Sequence, residues 1–243
     1  MRLISILLVF LAAASSAQTK LEKTIPVKVG QHVRFTFDYP ELIRVSTWDK
    51  NEISIQGTVS INDGESDAAF VLDTHTQGDV LDVQGKIKDM EELPQRITIM
   101  RNGIKTVFKN EAEFKKYKKE NNLGNFDVLN RGLDMDITLD IKVPANVETS
   151  VISVYGMVEV RQFNGPLRVE ATYGGVDASI SESVTGELTA ETNYGHIYSD
   201  LNLRSREGIR DEDFHTVVSA KLGNGPAYRL ESPYGNVYLR RFK

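Results

Sequence analysis

A Tyr-Gly pair recurs four times in the C-terminal half of the chain, at Tyr155-Gly156, Tyr173-Gly174, Tyr194-Gly195 and Tyr234-Gly235, each time closing a short alternation of apolar and polar residues. A unit this small cannot bury its own apolar face, so consecutive units must stack to share one core. The pairs are 18, 21 and 40 residues apart. Since 40 is about two of the shorter intervals, an intermediate turn without the pair is expected around Leu222-Gly223. The pattern predicts an all-β chain built as a β-solenoid.

Within a repeat, Gly165-Pro166-Leu167-Arg168-Val169-Glu170-Ala171-Thr172-Tyr173-Gly174 is echoed by the segment from Gly186 through Leu188, Ala190 and Thr192 to Tyr194-Gly195. A third echo runs from Gly225 through Tyr228, Leu230 and Ser232 to Tyr234-Gly235. Alternation places Leu, Val and Ala inward in a thin core, Val169 and Leu188 among them. Glycine is expected at the corners for positive φ. Tyrosine at a fixed place in each turn should stack on its neighbour about one strand spacing, ~4.8 Å, away. Such a row is either a structural ladder or an aromatic strip that binds sugars. The outward Glu159, Glu170, Glu182 and Glu191 are expected to be solvated edge charges.

The chain opens with Arg2, an apolar run from Leu3 to Ala14, and small residues at Ser15 and Ala17. This is the pattern of a secretory signal with cleavage between Ala17 and Gln18. An apolar run of this length makes roughly 18 Å of helix, too short for a hydrocarbon core of ~30 Å. With no cysteine in the sequence, disulfides, thiolate metal ligands and a lipid-modified N-terminal cysteine are excluded. After loss of Arg2 the mature chain carries 28 Lys+Arg against 34 Asp+Glu, near −6, which argues against nucleic acid as a partner. No second long apolar stretch predicts a transmembrane span in the mature chain.

The expected organisation is a signal peptide over 1–17, an N-terminal β region over 18–100, an insertion with a short helix over 101–131, and solenoid repeats over 132–243. Residues 18–243 are expected to form one continuous domain. In the first region Val27, Val29, Val33, Phe35 and Phe37 alternate with polar residues. Short runs follow at 43–45, 53–55, 59–61, 70–72, 81–83 and 97–99, and Asn62-Asp63-Gly64 reads as a hairpin turn. Asn110 is placed to cap a helix ending before Gly124, with Phe114 and Tyr117 against a sheet. Alternation returns from Leu133 to Val143, and Pro144 ends that strand. Two charged segments are the candidates for partner contact: the helix lysines Lys115, Lys116, Lys118 and Lys119, and an exposed loop holding Arg204, Arg206, Arg210 and Asp211-Glu212-Asp213.

No catalytic, cofactor or metal site is predicted. His32, His75, His196 and His215 show no ligand spacing. Asp134, Asp136 and Asp140 sit at alternate positions of one strand without the glycine-containing loop that wraps Ca²⁺. Nucleophile-elbow, phosphate-loop and dinucleotide fingerprints do not occur. Polysaccharide lyases and hydrolases are the enzymatic competitors, but about five coils make a short groove.

With the signal, the Leu133-to-Pro144 strand and the Gly-x-Leu and Tyr-Gly repeats, the chain resembles the bacterial "putative adhesin" families of unknown function. Asp140-Ile141-Lys142-Val143-Pro144 followed by Val151 to Val160 looks like that family's entry into its repeats, and Gly225 to Leu239 like its closing turn. The resemblance implies a single-stranded-coil β-helix. The function expected is that of an exported, non-enzymatic interaction or adhesin-like module of the periplasm or cell surface, with an envelope protein or a glycan as partner. The alternatives are a carbohydrate-binding or carbohydrate-cleaving β-helix and an envelope sensor or accessory protein.

Overall fold

The computed structural model describes residues 18–122, 124, 127–203, 209–212 and 214–242. The expected signal segment, with Ala17, lies outside the described residues, as do Arg204 and Arg206.

In chain order the first strands are β1 (Thr19–Pro26), β2 (His32–Phe37), β3 (Leu42–Trp48), β4 (Glu52–Ile61), β5 (Phe70–Gln77), β6 (Val80–Ile87), β7 (Arg96–Arg101) and β8 (Ile104–Phe108). Helix α1 (Glu111–Glu120) follows, then β9 (Val128–Gly132) and β10 (Met135–Pro144). The repeats supply β11 (Thr149–Ser153), β12 (Met157–Val160), β13 (Leu167–Ala171), β14 (Val176–Ile180), β15 (Glu187–Thr192) and β16 (Ile197–Ser199). The chain ends with β17 (Ile209–Glu212), β18 (His215–Lys221), β19 (Tyr228–Glu231) and β20 (Val237–Arg241).

The fold is all-β, with two large mixed sheets, neither closed into a barrel. One has eight strands in the order β1-β4-β10-β3-β12-β14-β20-β16, the other nine in the order β17-β18-β15-β19-β13-β11-β2-β6-β5. The middle strands of both are parallel; the outer ones are antiparallel at both ends of the nine-stranded sheet and at the β1 end of the eight-stranded sheet, whose other edge strand, β16, pairs parallel with β20. Alternation along each strand directs one face of each sheet into a shared core that runs from Ile25 through Phe35, Ile55, Leu139, Val169 and Leu188 to Leu239. Each such side chain contributes about 1.5–3 kcal/mol of burial. Val169 and Leu188 are inward, as the periodicity predicts, at 0% and 1% exposure.

Five turns carry the chain from the nine-stranded to the eight-stranded sheet: Tyr39-Pro40 and the four Tyr-Gly pairs. The fifth turn is therefore Tyr39-Pro40 rather than Leu222-Gly223. Leu222 instead donates its backbone N–H to Gly186 O at 2.9 Å, where the chain leaves β18. The spatial order also departs from chain order. β19 lies between β13 and β15, and β20 between β14 and β16, so the last strand pair is inserted inside the stack. Glycine permits the insertion: a Cβ on Gly225 would come within 1.7 Å of Val184 O, and one on Gly186 within 2.1 Å of Gly225 O.

Corner glycines obey the same constraint, and positive φ is not their reason. Gly156, Gly174, Gly195 and Gly235 are absent from the left-handed region. A Cβ would instead meet Pro40 O at 1.9 Å from Gly156, Gly156 C at 2.2 Å from Gly174, and Gly235 O at 1.9 Å from Gly195. Backbones of successive turns touch here, and only a hydrogen fits between them. Hydroxyls two residues before the tyrosines tie the turns: Ser153, Thr192 and Ser232 Oγ atoms accept from Gly156, Gly195 and Gly235 N–H groups at 3.2, 3.0 and 3.1 Å.

In the N-terminal region, 53–55 and 59–61 are one strand, β4. Val27 and Val29 fall outside any strand, Val29 fully exposed. Asn62, Asp63 and Gly64 do turn, with φ of 56°, 61° and 90°, but no hairpin results, because β4 and β5 enter different sheets. Buried Asn62 instead fastens distant chain, donating Nδ2 to Pro94 O at 2.8 Å and accepting from Asp134 N at 3.1 Å.

The 101–131 insertion contributes more than a helix. β8, β7 and β9 form a three-stranded sheet, with β7 and β8 joined through Asn102-Gly103 at φ 51° and 77°. α1 covers it, packing Phe114 and Tyr117 on Phe108. Its capping matches the expectation at one end: Asn110 Oδ1 accepts from Glu113 N at 3.0 Å, while Glu113 Oε2 accepts from Lys109 N at 2.9 Å. The other end is closed by Asn121, whose Nδ2 donates to Tyr117 O at 2.9 Å, rather than by Gly124. The helix does not cap a large sheet. Antiparallel strands do so at three of the four sheet ends: β18 and β17 beyond β15, β5 beyond β6, and β4 and β1 beyond β10.

Candidate functional site

Two surfaces built by the strand register are candidates. The first is the aromatic row. Parallel pairing in register brings the corner tyrosines together in the order Tyr39, Tyr155, Tyr173, Tyr234, Tyr194, and Phe214 extends the row. Successive centroids from Tyr155 to Tyr194 are 5.5, 4.9 and 5.2 Å apart, with interplanar angles of 8–17°. The rings are half exposed, yet their faces lie against one another. Sugar stacking requires an open ring face, so the inner rings offer solvent only edges and hydroxyls, as a structural ladder does. Tyr39 and Phe214 were missed in the sequence because neither is followed by glycine. Tyr198 and Tyr238 form a separate stack at 5.2 Å on the eight-stranded sheet.

The second surface is the outward face of the nine-stranded sheet. Asp82, Arg34, Ser150, Arg168, Arg229 and Thr189 stand side by side at one register across β6, β2, β11, β13, β19 and β15. Two residues further along, Glu170, Glu231 and Glu191 form a carboxylate row. A shallow trough of about 1050 Å³ crosses these strands. The short side chains of Ser150, Pro166 and Ala227 line it together with charged groups, Arg34, Asp82, Arg168 and Arg229 among them.

The charges are mostly paired. Arg168 reaches Glu170 at 3.3 Å and Glu231 at 3.6 Å, Arg229 reaches Glu191 at 3.5 Å, and His215 Nε2 lies 2.8 Å from Glu191. His32 lies between Glu148 at 3.0 Å and Asp79 at 3.5 Å. Two groups break the pattern. Among the described residues the Arg34 side chain makes neither an ion pair nor a hydrogen bond to the protein, and Asp82 Oδ1 is buried without a partner while Oδ2 accepts from Gln84 Nε2 at 2.8 Å.

Beneath the trough floor Tyr228 points into the core, donating its hydroxyl to Phe163 O. Burial pushes its phenol up to about 12.

The other residues singled out from sequence do not converge. Lys115, Lys116, Lys118 and Lys119 are exposed on α1, Lys116 reaching Glu120 at 4.0 Å. Arg210 lies in β17, opposite Val217. The Glu159, Glu170, Glu182 and Glu191 expected as solvated are instead held by arginines: Glu159 by Arg44 at 3.3 Å and by Arg161, and Glu182 by Arg241 at 3.1 Å. Asp136 accepts from Gln18 Nε2 at 3.3 Å, Asp134 pairs with Lys105, and Asp140 lies 3.5 Å from Arg44, so each carboxylate of that strand has its own partner. No helix among the described residues is long and apolar enough to cross a membrane.

No family model and no curated protein matches the chain. Among solved structures, a "putative cell adhesion protein" from Clostridium sporogenes ATCC 15579 aligns with 93% of this chain and 100% of its own, at 8% identity and a TM-score of 0.49. A "putative adhesin" from Bacteroides fragilis NCTC 9343 aligns over 93% of this chain and 99% of its own, at 10% identity and a TM-score of 0.23. Similarity at this level carries no inference about activity or partners.

Proposed function

We propose that the protein is an exported, non-enzymatic β-solenoid that serves the cell envelope as an adhesin-like interaction module, and that it binds through the outward face of its nine-stranded sheet. The trough across six strands carries this reading. Its polar side chains are fixed at strand spacing by parallel pairing, so a ligand meets a preorganised array and little ordering opposes binding. The parallel middle strands and the repeated turns support the solenoid description. Pairing of Glu170, Glu191 and Glu231 with Arg168, Arg229 and His215 suits a recognition surface better than general acid–base work, which needs a carboxyl free to exchange its proton.

Filling the trough tests the reading. Ser150→Tyr and Ala227→Lys both place a long side chain on its floor without entering the core. The pair should abolish retention of envelope material that the native protein holds from a fractionated cell envelope, with an unchanged melting curve. Equal retention by both proteins overturns the assignment to this face, and turnover of a glycan by the native protein overturns the non-enzymatic reading.

A further inference from the structure

We propose that the small sheet of β7, β8 and β9, with α1 upon it, docks on an anionic phospholipid surface, Arg101, Lys115, Lys118 and Lys119 meeting the headgroup phosphates and Ile104 entering the layer beneath them. No trough residue takes part, so this contact is independent of the binding face proposed above. Charge is segregated along the chain. Residues 96–132 carry nine Lys+Arg against four Asp+Glu, while residues 18–95 and 133–243 together carry 19 against 30. A module at +5 is thus attached to a body at −11, and its field steers it, rather than the body, toward a negatively charged surface. The attachment is fixed at the base of the module, where Arg96 and Lys109 both hold Glu65.

The module's own carboxylates leave the outer lysines uncompensated. Glu113 closes the helix cap, Glu111 pairs with Arg131, and Asp127 accepts from Asn102 N at 2.9 Å. Phe114 and Tyr117 hold one side of α1 against Phe108, which by helical spacing leaves Lys115, Lys116 and Lys119 on the opposite side and Lys118 at its border. β8 carries the chain away from the Asn102-Gly103 tip, and α1 carries it back toward Asp127, which lies beside that tip through its bonds to Asn102 and Met100. Exposed Arg101 and Ile104 flank the turn, Ile104 at 68% exposure. Cations around a protruding aliphatic side chain match a bilayer, which offers phosphate charge at its surface and apolar depth below. Single-stranded nucleic acid is a poorer fit, because it is held by exposed aromatic rings and Phe108 and Phe114 are buried. An acidic protein would engage the lysines but gains little from one aliphatic side chain at a turn.

Co-sedimentation of the whole protein with vesicles of phosphatidylglycerol diluted in phosphatidylcholine, and with pure phosphatidylcholine, tests the proposal. The native protein should bind only the anionic vesicles and leave them at high salt. Combined Lys115→Gln, Lys118→Gln and Lys119→Gln should lose about a hundredfold in partitioning, at about fivefold per cation. Its melting curve should not change, since glutamine is as good a helix former as lysine at exposed positions. Ile104→Ser should lose about fivefold, while Ser150→Tyr with Ala227→Lys should bind vesicles as the native protein does. Equal sedimentation with both vesicle types, no sedimentation with either, undiminished binding by the lysine variant or by Ile104→Ser, displacement by inorganic phosphate, or tighter binding to poly-glutamate than to vesicles overturns the proposal.

Discussion

Tyr173 stacks on Tyr234 at 4.9 Å, while Tyr194, which lies between them in the chain, stacks on the far side of Tyr234 at 5.2 Å. The last tyrosine turn is thus interior to the stack. Removing residues 224–243 should cost far more than one terminal unit, because β13, β14, β15 and β16 each lose a neighbour and expose unpaired parallel edges. Size-exclusion chromatography should show aggregation; a monodisperse, folded truncation would contradict the strand order.

Replacing one inner ring separates structure from binding. Tyr173→Ala removes two stacked contacts, each worth about 0.5–1.5 kcal/mol beyond burial, so urea unfolding should register a loss of about 1–3 kcal/mol. Ligand affinity at the trough should stay within twofold. Wild-type stability with lost binding would return the ladder to the status of a ligand strip.

Glycines in corners and in turns should respond differently to alanine. Gly174→Ala sets a Cβ 2.2 Å from the backbone of Gly156, and neither strand can retreat without breaking its ladder; a loss of about 3 kcal/mol or more is expected. Gly103→Ala meets no atom within 4 Å and suffers only from φ of 77°, which costs about 1 kcal/mol. Comparable unfolding midpoints for the two variants would contradict the close approach of the turns.

Tyr228 predicts an alkaline transition. Its folded phenol is raised from 10.0 to about 12 by burial. Protonated Tyr228 therefore favours the folded state, a contribution fully present below pH 10 and lost as pH rises through about 12. Two units correspond to about 2.7 kcal/mol before allowance for partial solvation. Tyr228→Phe should be about 1 kcal/mol less stable at pH 7 through the lost hydrogen bond to Phe163 O, yet flatter between pH 10 and 12. A parallel pH profile for both proteins would show that Tyr228 does not titrate in that window.

Much of the fold was legible because alternation is a local signal. The inward positions of Val169 and Leu188, the strand ended by Pro144 and the cap at Asn110 each depend on a few adjacent residues. Strand order was not legible, since Gly225-Pro226 reads as another repeat whether it stacks last or slips between earlier ones. The hairpin expected at Asn62 failed for a related reason: turn chemistry fixes a change of direction but not the sheet that receives the next strand. Asn102-Gly103 was a readable hairpin signal overshadowed by the neighbouring helix. The trough had no signature at all. Arg34, Asp82 and Ser150 are scattered through the chain and become neighbours only through the register of β6, β2 and β11.

Insertion of β19 and β20 also sets when the molecule can be finished. A ribosome delivers this chain from its N-terminal end, and an ordinary serial stack could lay down each turn as it emerges. Here the slot between β13–β14 and β15–β16 stays empty until nearly the whole chain has been made. The two parts flanking that slot must wait apart or come apart again, so completion of the core is tied to the arrival of β19 and β20 rather than to the gradual appearance of the earlier turns.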